Sequence, residues 1–422
     1  MTQPLRTDKE RLWRSIMEMA QIDGLPGGGC GRLALSDGDR EARDLFAQWC
    51  SDAGCHVTSD RLGNMFARRP GRDDSLPPIG IGSHLDTQPH GGRFDGVYGV
   101  LAGLEIVRTL NAHGVHTDAP IEVVNWTNEE GARFAPAMLC SGVYAGVFEL
   151  DYALSRIDAH GKRFGDELDR IGYAGTDACG MHKLGVFLEA HIEQGPVLER
   201  HGEVIGVVTG GQGQRWYDAT ITGRDAHSGS TPMEGRRDAL VTAAQLVLDV
   251  QDIAMTHAPD SVGTVGYASI EPNSRNTVPG LVRLSVDLRN PDNAVLSAMD
   301  RALRACADKA GETGIDIDMI WHNPPIRFDA RCIEAIETAA KALNLPWRMM
   351  VSGAGHDACQ VARVVPTAMV FVPCRDGLSH NEAESAEPDH LAAGCDVLLG
   401  AALRLSSVEH HPMLKRHGAS PI

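Results

Sequence analysis

The sequence has no segment that resembles a secretion signal or a membrane-spanning helix. Its opening residues, MTQPLRTDK, lack the apolar stretch of a signal peptide, and no window approaches the 18 apolar residues of a membrane span. Its 10 cysteines include no CxxC pair and no regular spacing, which argues against a zinc ribbon or a secreted disulfide framework. We therefore expect a cytoplasmic protein whose cysteines are mostly buried free thiols.

The chain also has fewer basic than acidic residues. The chain has 39 lysines and arginines against 56 aspartates and glutamates, a formal net charge of −17. Nucleic acids and anionic membranes are themselves negative, so we expect neither as a partner. A chain of 422 residues with 43% hydrophobic and 23% charged residues is typical of a soluble globular protein, here with two domains.

The first half of the sequence alternates strands and helices in the manner of a parallel sheet covered by helices. The predicted elements are strands at Pro78–Ser83, Ile121–Trp126 and Gly185–Ala190 and helices at Asp39–Ala53 and Val97–Ala112. Ligands of such sheets bind beyond the carboxyl ends of the strands. Four polar residues fall at these ends, namely His84, Glu129, Glu130 and His191.

The pattern changes after about residue 210. The order predicted there is β-α-β-β-α-β, the split βαβ arrangement of ferredoxin-like domains. Its elements are Gln214–Gly223, Gly235–Met255, Gly263–Ile270, Leu281–Asn290, Asn293–Ala310 and Ile315–Trp321. The first pattern then resumes with elements at Ala330–Leu343, His356–Val364, Thr367–Val372 and Pro388–Leu405. We predict an α/β catalytic domain of residues 1–211 and 328–422, interrupted by an inserted α+β domain of residues 212–327.

Three short motifs carry the chemistry: GSHLDT at 82–87, GRFDG at 92–96 and NEEG at 128–131. The adjacent pair Glu129 and Glu130 would be repulsive without a cation nearby, and two divalent ions relieve that repulsion. Asp95, in a glycine-lined turn, could bridge the two ions. Residues i and i+2 of a strand point the same way, so the Asp86 carboxylate can lie behind the His84 imidazole and orient it.

Two further segments supply imidazoles. They are LEAHIEQG at 188–195, with His191, and LSHNE at 378–382, with His380. Each alone is weak evidence, but together with the first three motifs they give a nitrogen and oxygen donor set that suits two zinc ions. Manganese, cobalt and nickel accept the same ligands. One of the paired glutamates can then bind metal while the other takes a proton from water.

These motifs, with GQRW at 213–216, DAHSG at 225–229 and NTVPG at 276–280, resemble the M20 metallopeptidase clan and, within it, the hydantoinase/carbamoylase amidases. The resemblance covers nearly the whole chain. It implies a metal-dependent enzyme that cleaves the carbamoyl group of N-carbamoyl-L-amino acids or related ureido acids, giving the amino acid, ammonia and carbon dioxide. N-Carbamoyl-β-alanine and allantoate remain alternative substrates.

The resemblance also implies the metal ligands and the catalytic base. His84 and His191 would hold one divalent ion, Glu130 and His380 the other, and Asp95 would bridge the two. Glu129 would be the general base and later the acid that protonates the leaving nitrogen. Asp86 would orient His84.

The inserted domain is implied to be a lid and a homodimer interface that carries substrate-binding groups into the partner's site. His227 would stabilise the oxyanion, and Gln194 would contact the carbamoyl end. Asn276 and Arg289 would hold the substrate carboxylate. In a strongly acidic protein we expect the charge partner of Arg289 to be an anionic substrate.

Other interpretations remain open. Asp86 could cap a strand end, and Asn276 and Arg289 could simply hold the inserted domain together. His356–Asp357 could be catalytic, although aspartate at a helix start is more often a backbone cap. The chain could also be an M20 aminoacylase or peptidase, or a binding protein that lost the chemistry, which an intact Glu129 argues against.

Overall fold

The structure is a computed structural model that describes residues 4–308 and 310–412. The chain is a mixed α/β protein that divides into two compact units, Met1–Thr209 with Arg327–Ile422 and, between them, Gly210–Ile326. The expected domain boundaries, 211/212 and 327/328, lie beside these junctions. The 10 cysteines, which all lie in the described part of the chain, form no disulfide bonds, and all except Cys179 are buried, as expected.

The described part of the chain contains helices and strands with the following bounds. The helices are α1 Lys9–Met19, α2 Asp37–Asp52, α3 Val97–Ala112, α4 Leu139–Tyr144, α5 Leu150–Leu154, α6 Phe164–Ile171, α7 Val197–His201, α8 Ala239–Thr256, α9 Asn293–Ala307, α10 Ala330–Ala342, α11 Asp357–Val361 and α12 Pro388–Ser406. The strands are β1 His56–Ser59, β2 Met65–Arg69, β3 Ile79–His84, β4 Ile121–Trp126, β5 Val186–Ile192, β6 Ile205–Gly211, β7 Gly213–Thr222, β8 Ala226–His227, β9 Val262–Glu271, β10 Thr277–Val278, β11 Leu281–Asn290, β12 Gly314–Asn323, β13 Ile326–Arg327, β14 Trp347–Ser352 and β15 Thr367–Val372.

The first unit is built on a nine-stranded sheet in the order β1-β2-β4-β3-β5-β15-β6-β13, with β14 paired to β6. Its centre, β4-β3-β5-β15, is parallel, and every residue of these strands is buried because helices cover both faces. The flanks are antiparallel, so the sheet is mixed rather than wholly parallel. The carboxyl ends of the central strands therefore meet at one edge.

The second unit contains a four-stranded antiparallel sheet in the order β12-β7-β11-β9. Helices α8 and α9 pack against it, and alternate residues of the strands join a core that includes Tyr217, Leu246, Leu288 and Leu303. Apart from the two-residue ladder of β8 with β10, its elements follow one another as β-α-β-β-α-β.

Helix α8 corrects one expectation. By length and composition it could cross a membrane, since its 18 residues have a mean hydropathy of 1.2, so the expectation that no window approaches a span is wrong. One such helix is weak evidence, because core helices pass the same test. Here one face of α8 packs on β9 and β11, while apolar side chains also occupy its outer face. A cytoplasmic location stays a prediction.

Candidate metal centre

The site lies at the shared carboxyl edge of the central parallel strands. His84 is the last residue of β3, and His191 is the next-to-last residue of β5. Glu129 and Glu130 follow β4, and His380 lies in the loop after β15. Because the strands are parallel and in register, five of the predicted metal and base residues come together from segments up to 296 positions apart in sequence, from 84 to 380.

Asp95 is the meeting point of this cluster. Its Oδ1 lies 3.0 Å from Nε2 of His191 and 3.6 Å from Nε2 of His84, and its Oδ2 lies 3.5 Å from Nε2 of His380. Nε2 of His380 is also 3.3 Å from Oε2 of Glu130. Two groups of possible metal donors result, His84–Asp95–His191 and Asp95–Glu130–His380, each with its donor atoms within 4.8 Å of one another. The two groups share only Asp95.

The imidazoles present the right nitrogen for a metal. Nδ1 of His84 lies 2.8 Å from the main-chain carbonyl oxygen of Asp86, and Nδ1 of His191 lies 2.9 Å from that of Ile192. A carbonyl only accepts, so each Nδ1 donates, and in the neutral imidazole Nε2 carries the lone pair that a metal ion would bind. The main-chain N–H of Gly96 donates to Nε2 of His191, which agrees with this tautomer. The donor set therefore fits a pair of divalent cations.

A tight turn sets the direction of the Asp95 side chain. The N–H of Val97 donates to the carbonyl of Asp95 at 2.7 Å across Gly96, whose φ of 67° and ψ of −50° are those of a γ-turn that side chains disfavour. A Cβ at Gly96 would also lie 2.3–2.5 Å from the His84 imidazole. Only glycine allows both the turn and the close approach of His84.

The structure corrects the predicted contact of Asp86. Its main-chain carbonyl, not its carboxylate, holds His84. The buried carboxylate instead accepts the main-chain N–H groups of Glu129 and Glu130, both at 3.2 Å. Asp86 thus fixes the turn that carries the paired glutamates, and it does not cap the end of its own strand.

Charge in the cluster is strongly coupled. Burial opposes ionisation of Asp95, but the imidazoles of His191 and His84 outweigh it and hold the pKa of Asp95 far below its usual range. Burial lowers the pKa of His191, but the carboxylate of Asp95 raises it by more, and the net effect is a pKa of about 9. Burial, together with the neighbouring carboxylates of Asp357 and Glu130, raises the pKa of Glu129 well above its usual range. The site therefore favours positive charge beside Asp95, which is the charge that a bound cation supplies.

Glu129 is buried, and its Oε2 lies 3.5 Å from Nε2 of His84. Glu130 points toward His380 and accepts a hydrogen bond of 2.8 Å from the Gln88 amide. The two neighbours in sequence therefore face different donor groups. This arrangement leaves Glu129 outside both groups that contain Asp95.

Gln194 also contacts the centre. Its Nε2 donates to Oδ2 of Asp95 at 2.7 Å, while its buried Oε1 has no hydrogen-bond partner among the described residues. Ser379 donates to the same Oδ2 at 2.7 Å. The sequence identified Gln194 through the family motif but gave no role to Ser379.

Sequence reasoning missed Glu384. Only 3% of its surface is exposed, and its carboxylate lies against the main-chain N–H groups of Phe94 and Asp95 and the hydroxyl of Ser379. The segment SHNEAESAE holds three other glutamates or histidines with equal claim, and nothing in its spacing singles out position 384.

A buried polar layer lies behind His191. Glu189, His191 and His356 form a third group of possible donors, in which Glu189 accepts from the Ser83 hydroxyl and from the Ala358 N–H. The expectation that Asp357 caps a helix is wrong, because helix α11 has no side-chain cap and Asp357 accepts the Ser141 hydroxyl instead. These buried hydrogen bonds fix the carboxyl end of β5, which carries His191.

His227 and Asn276 lie together in the second unit. The β8–β10 ladder pairs His227 with Thr277, and the N–H of Ser228 donates to the carbonyl of Asn276 at 2.9 Å. Nδ1 of the exposed His227 accepts N–H groups from Gly229 and Ser230. A neutral His227 therefore carries its hydrogen on Nε2, the form that can donate to an oxyanion.

Arg289 has a protein partner, contrary to expectation. Its Nε and Nη2 donate to Oδ2 of Asp287 at 3.0 and 2.8 Å. Asp287 lies two residues earlier on β11, so both side chains share one face of the strand. An anionic substrate would have to compete with this carboxylate.

The chain is similar to known proteins over nearly its whole length. The family model of Peptidase family M20/M25/M40 matches residues 80–404. An N-carbamoyl-L-amino-acid amidohydrolase of Rhizobium meliloti is 50% identical over 406 residues, which is 96% of this chain and 98% of that protein. A ureidoglycolate hydrolase of Oryza sativa subsp. japonica is 34% identical over 416 residues, 96% of this chain and 86% of that protein. The crystal structure of a hydantoinase/carbamoylase family amidase from Burkholderia multivorans is 54% identical with a TM-score of 0.92, over 94% of this chain and 98% of that one.

The fold and the donor set are thus those of a metal-dependent hydrolase, and the chain belongs to the M20/M25/M40 peptidase family. Within that family it belongs to the hydantoinase/carbamoylase amidases, as the motifs predicted.

Proposed function

We propose that this enzyme hydrolyses the carbamoyl group of N-carbamoyl-L-amino acids, giving the amino acid, ammonia and carbon dioxide. The observation that carries the proposal is the pair of donor groups that share Asp95, with the buried carboxylate of Glu129 beside them. Relatives that cover nearly the whole chain are amidohydrolases of N-carbamoyl-L-amino acids, which supports this substrate class.

His84, His191 and Asp95 would hold one divalent ion, and Glu130 and His380 would hold the second together with Asp95. Nitrogen and oxygen donors of this kind suit zinc, with manganese, cobalt or nickel as other first-row ions. When bound, the two ions supply Lewis-acid activation of water and of the scissile carbonyl. Gln194 and Ser379 hold the Asp95 carboxylate by donating to its Oδ2, and Asp95 would then be the ligand that both donor groups share.

Glu129 moves the proton. As water adds to the carbamoyl carbon, Glu129 takes one of its protons, and as the C–N bond breaks it returns that proton to the leaving nitrogen. Burial among other carboxylates gives Glu129 a high affinity for the proton in transit. Asp86 keeps Glu129 in place through the main-chain hydrogen bond described above.

Substrate recognition is proposed for four side chains. The unpaired Oε1 of Gln194 can accept an N–H of the carbamoyl end, and His227 can donate from Nε2 to the oxyanion. Asn276 and Arg289 would hold the substrate carboxylate, with Arg289 exchanging Asp287 for it. Ureidoglycolate, N-carbamoyl-β-alanine and allantoate carry the same two groups. Ureidoglycolate is the alternative that a relative favours.

We also propose a homodimer formed through the second unit. Val241, Leu248 and Met255 are spaced by seven residues on α8 and are 67%, 54% and 66% exposed, so they form one apolar stripe. Strand β9 is an edge of its sheet, with Val262 and Tyr267 also exposed. We propose that the stripe and the strand edge bind the same surface of a second copy of the chain, so that both are covered in the dimer.

Release of ammonia by metal-loaded enzyme tests the proposed activity. N-Carbamoyl-L-methionine, N-carbamoyl-β-alanine, allantoate, ureidoglycolate and N-acetyl-L-methionine form the panel, the last assayed for free methionine. We expect turnover of the first substrate and its loss after chelation. Hydrolysis of the acetyl compound alone would show an aminoacylase and overturn the proposal.

A further inference from the structure

Glu384 joins the two loops that carry the second donor group. Its Oε1 accepts the main-chain N–H groups of Phe94 at 2.9 Å and Asp95 at 3.2 Å, and its Oε2 lies 2.9 Å from the hydroxyl of Ser379. Ser379 precedes His380, and Asp95 is the shared carboxylate. One buried side chain thus ties the Asp95 turn to the His380 loop, although it belongs to neither donor group.

The Ser379 hydroxyl lies between the carboxylates of Asp95 and Glu384 and can donate its hydrogen to only one of them. The Ser379 oxygen lies 2.7 Å from Oδ2 of Asp95 and 2.9 Å from Oε2 of Glu384, and a hydroxyl has only one hydrogen to donate. If that hydrogen goes to Asp95, a glutamine at position 384 can donate its amide N–H to the Ser379 oxygen. A side chain with an acceptor for the two N–H groups and a donor for Ser379 satisfies every contact. Glutamine has both, because its Oε1 accepts and its Nε2 donates.

The space around Glu384 is closed. A Cβ added at Gly92 would lie 1.9 Å from the Glu384 carboxyl carbon and Oε1. Gly92 opens the motif GRFDG that leads to Asp95. The glycine therefore makes room for the Glu384 side chain, and an alanine there would displace this carboxylate, which belongs to neither donor group.

We propose that Glu384 is a positioning residue that holds Asp95 and His380 at the separation needed for the second ion. It acts through the Phe94–Asp95 main chain and through Ser379, and it does not contact the substrate or the ion. The inference rests on the proposed two-ion hydrolase.

Metal binding to the apoenzyme is the test, measured by zinc competition with a chromophoric chelator and checked by zinc content after gel filtration. Loss of a residue that orients metal ligands typically weakens binding about 10–100-fold. We expect Glu384→Ala and Gly92→Ala to lose affinity for one of the two ions by that factor. Glu384→Gln should bind both ions within about threefold of wild type, because it keeps every hydrogen bond.

The matched control is Asp158→Ala. Asp158 is also a buried carboxylate that accepts two main-chain N–H groups, those of His160 and Lys162 at 2.9 Å, but it belongs to no donor group. It should lower the melting temperature and leave both zinc affinities unchanged. Should Glu384→Ala not fold, Ser379→Ala removes the link between the two carboxylates, together with a 3.3 Å contact from the Gln194 amide, and should weaken binding of the same ion.

The outcomes separate the possibilities. Wild-type affinity in Glu384→Ala, equal loss in Glu384→Gln and Glu384→Ala, or equal loss in Asp158→Ala would each overturn the positioning role. A wild-type enzyme that binds fewer than two ions would instead overturn the proposed metal centre.

Discussion

At the scale of single residues, the main chain does part of the work usually given to side chains. Carbonyl oxygens of Asp86 and Ile192 fix the tautomers of His84 and His191, which frees the Asp86 carboxylate to hold the Glu129–Glu130 turn. A spacing of two residues in a strand cannot distinguish these arrangements, because a carbonyl and a side chain are both within reach of the imidazole. The motif predicted which residues lie at the site, but their contacts depend on the course of the backbone, which the motif does not specify.

Glu129→Gln separates proton transfer from metal binding. Glutamine has the same shape but cannot take a proton, so we expect kcat to fall by about 10²–10⁴-fold. Zinc content should stay at the wild-type value, because Glu129 lies outside both donor groups that share Asp95. Steady-state kinetics with metal analysis of the same sample checks both. An unchanged kcat, or loss of an ion, would show that the base is another group; Asp158→Asn is the control for a buried carboxylate elsewhere.

Gly96→Ala tests the turn that directs Asp95. The added methyl group meets the His84 ring and the φ of 67° disfavours any side chain, so we expect a loss of about 1–3 kcal/mol in unfolding free energy and weaker zinc binding. Gly114 has a φ of 62°, and a Cβ added there would have no atom within 4 Å, which makes Gly114→Ala the control. Denaturant unfolding and zinc titration of both variants distinguish local strain from damage to the centre. Equal zinc affinity in Gly96→Ala and wild type would contradict the assigned role of the turn.

At the scale of elements, hydrophobic pattern predicts which segments are strands better than how they pair. Strands β3, β4, β5 and β15 were predicted because each is a short, mainly apolar run, and each is buried on both faces. The half-buried β14 and the two-residue β13 lack that signal and were missed. Strands β1, β2, β6, β8 and β10 were also missed, although β2 and β6 are largely buried. The antiparallel pairing of the flanking strands depends on tertiary packing, and the alternation of apolar and polar residues along a strand does not predict it.

The same limit applies to the site. His84, Asp95, Glu129, Glu130, His191 and His380 could be predicted because each stands in a short motif after or at the end of a strand, and the motifs together resemble those of the family. Glu384 could not, because its importance comes from meeting the Phe94–Asp95 backbone 289 positions away. A contact of that kind exists only after the loops have been placed by the sheet.

Helix α8 provides the test at this scale. Replacing Val241 and Leu248 by glutamate places two charges in the apolar stripe, so a dimer that buries it should dissociate to monomers. Light scattering after gel filtration measures the mass, and circular dichroism confirms that the helix still folds. Ala305→Glu, on the exposed side of α9, should leave the dimer intact. A wild-type monomer, or a dimer in the double variant, would contradict the proposed interface.

At the scale of the whole molecule, the acidity of the chain makes substrate binding a competition. The net charge of −17 repels an anionic ureido acid, and Arg289 is already paired with Asp287. Asp287→Asn would release the guanidinium from its charged partner while keeping a polar neighbour. A substrate carboxylate held by Arg289 would then bind more tightly, because one competitor for the same N–H groups has been weakened.

Mixing two inactive variants tests whether one subunit supplies Arg289 to the substrate held at the metal centre of another, as the family resemblance implies. Arg289→Ala keeps its own Glu129, and Glu129→Gln keeps its own Arg289, so each homodimer lacks one group at both sites. After subunit exchange in a 1:1 mixture, half the dimers are mixed and each has one complete site, which gives roughly a quarter of wild-type activity. Ammonia release before and after exchange, with heterodimers counted by native mass spectrometry, measures the recovery. No recovery despite proven heterodimers would mean that each subunit uses its own Arg289, or that Arg289 only pairs with Asp287.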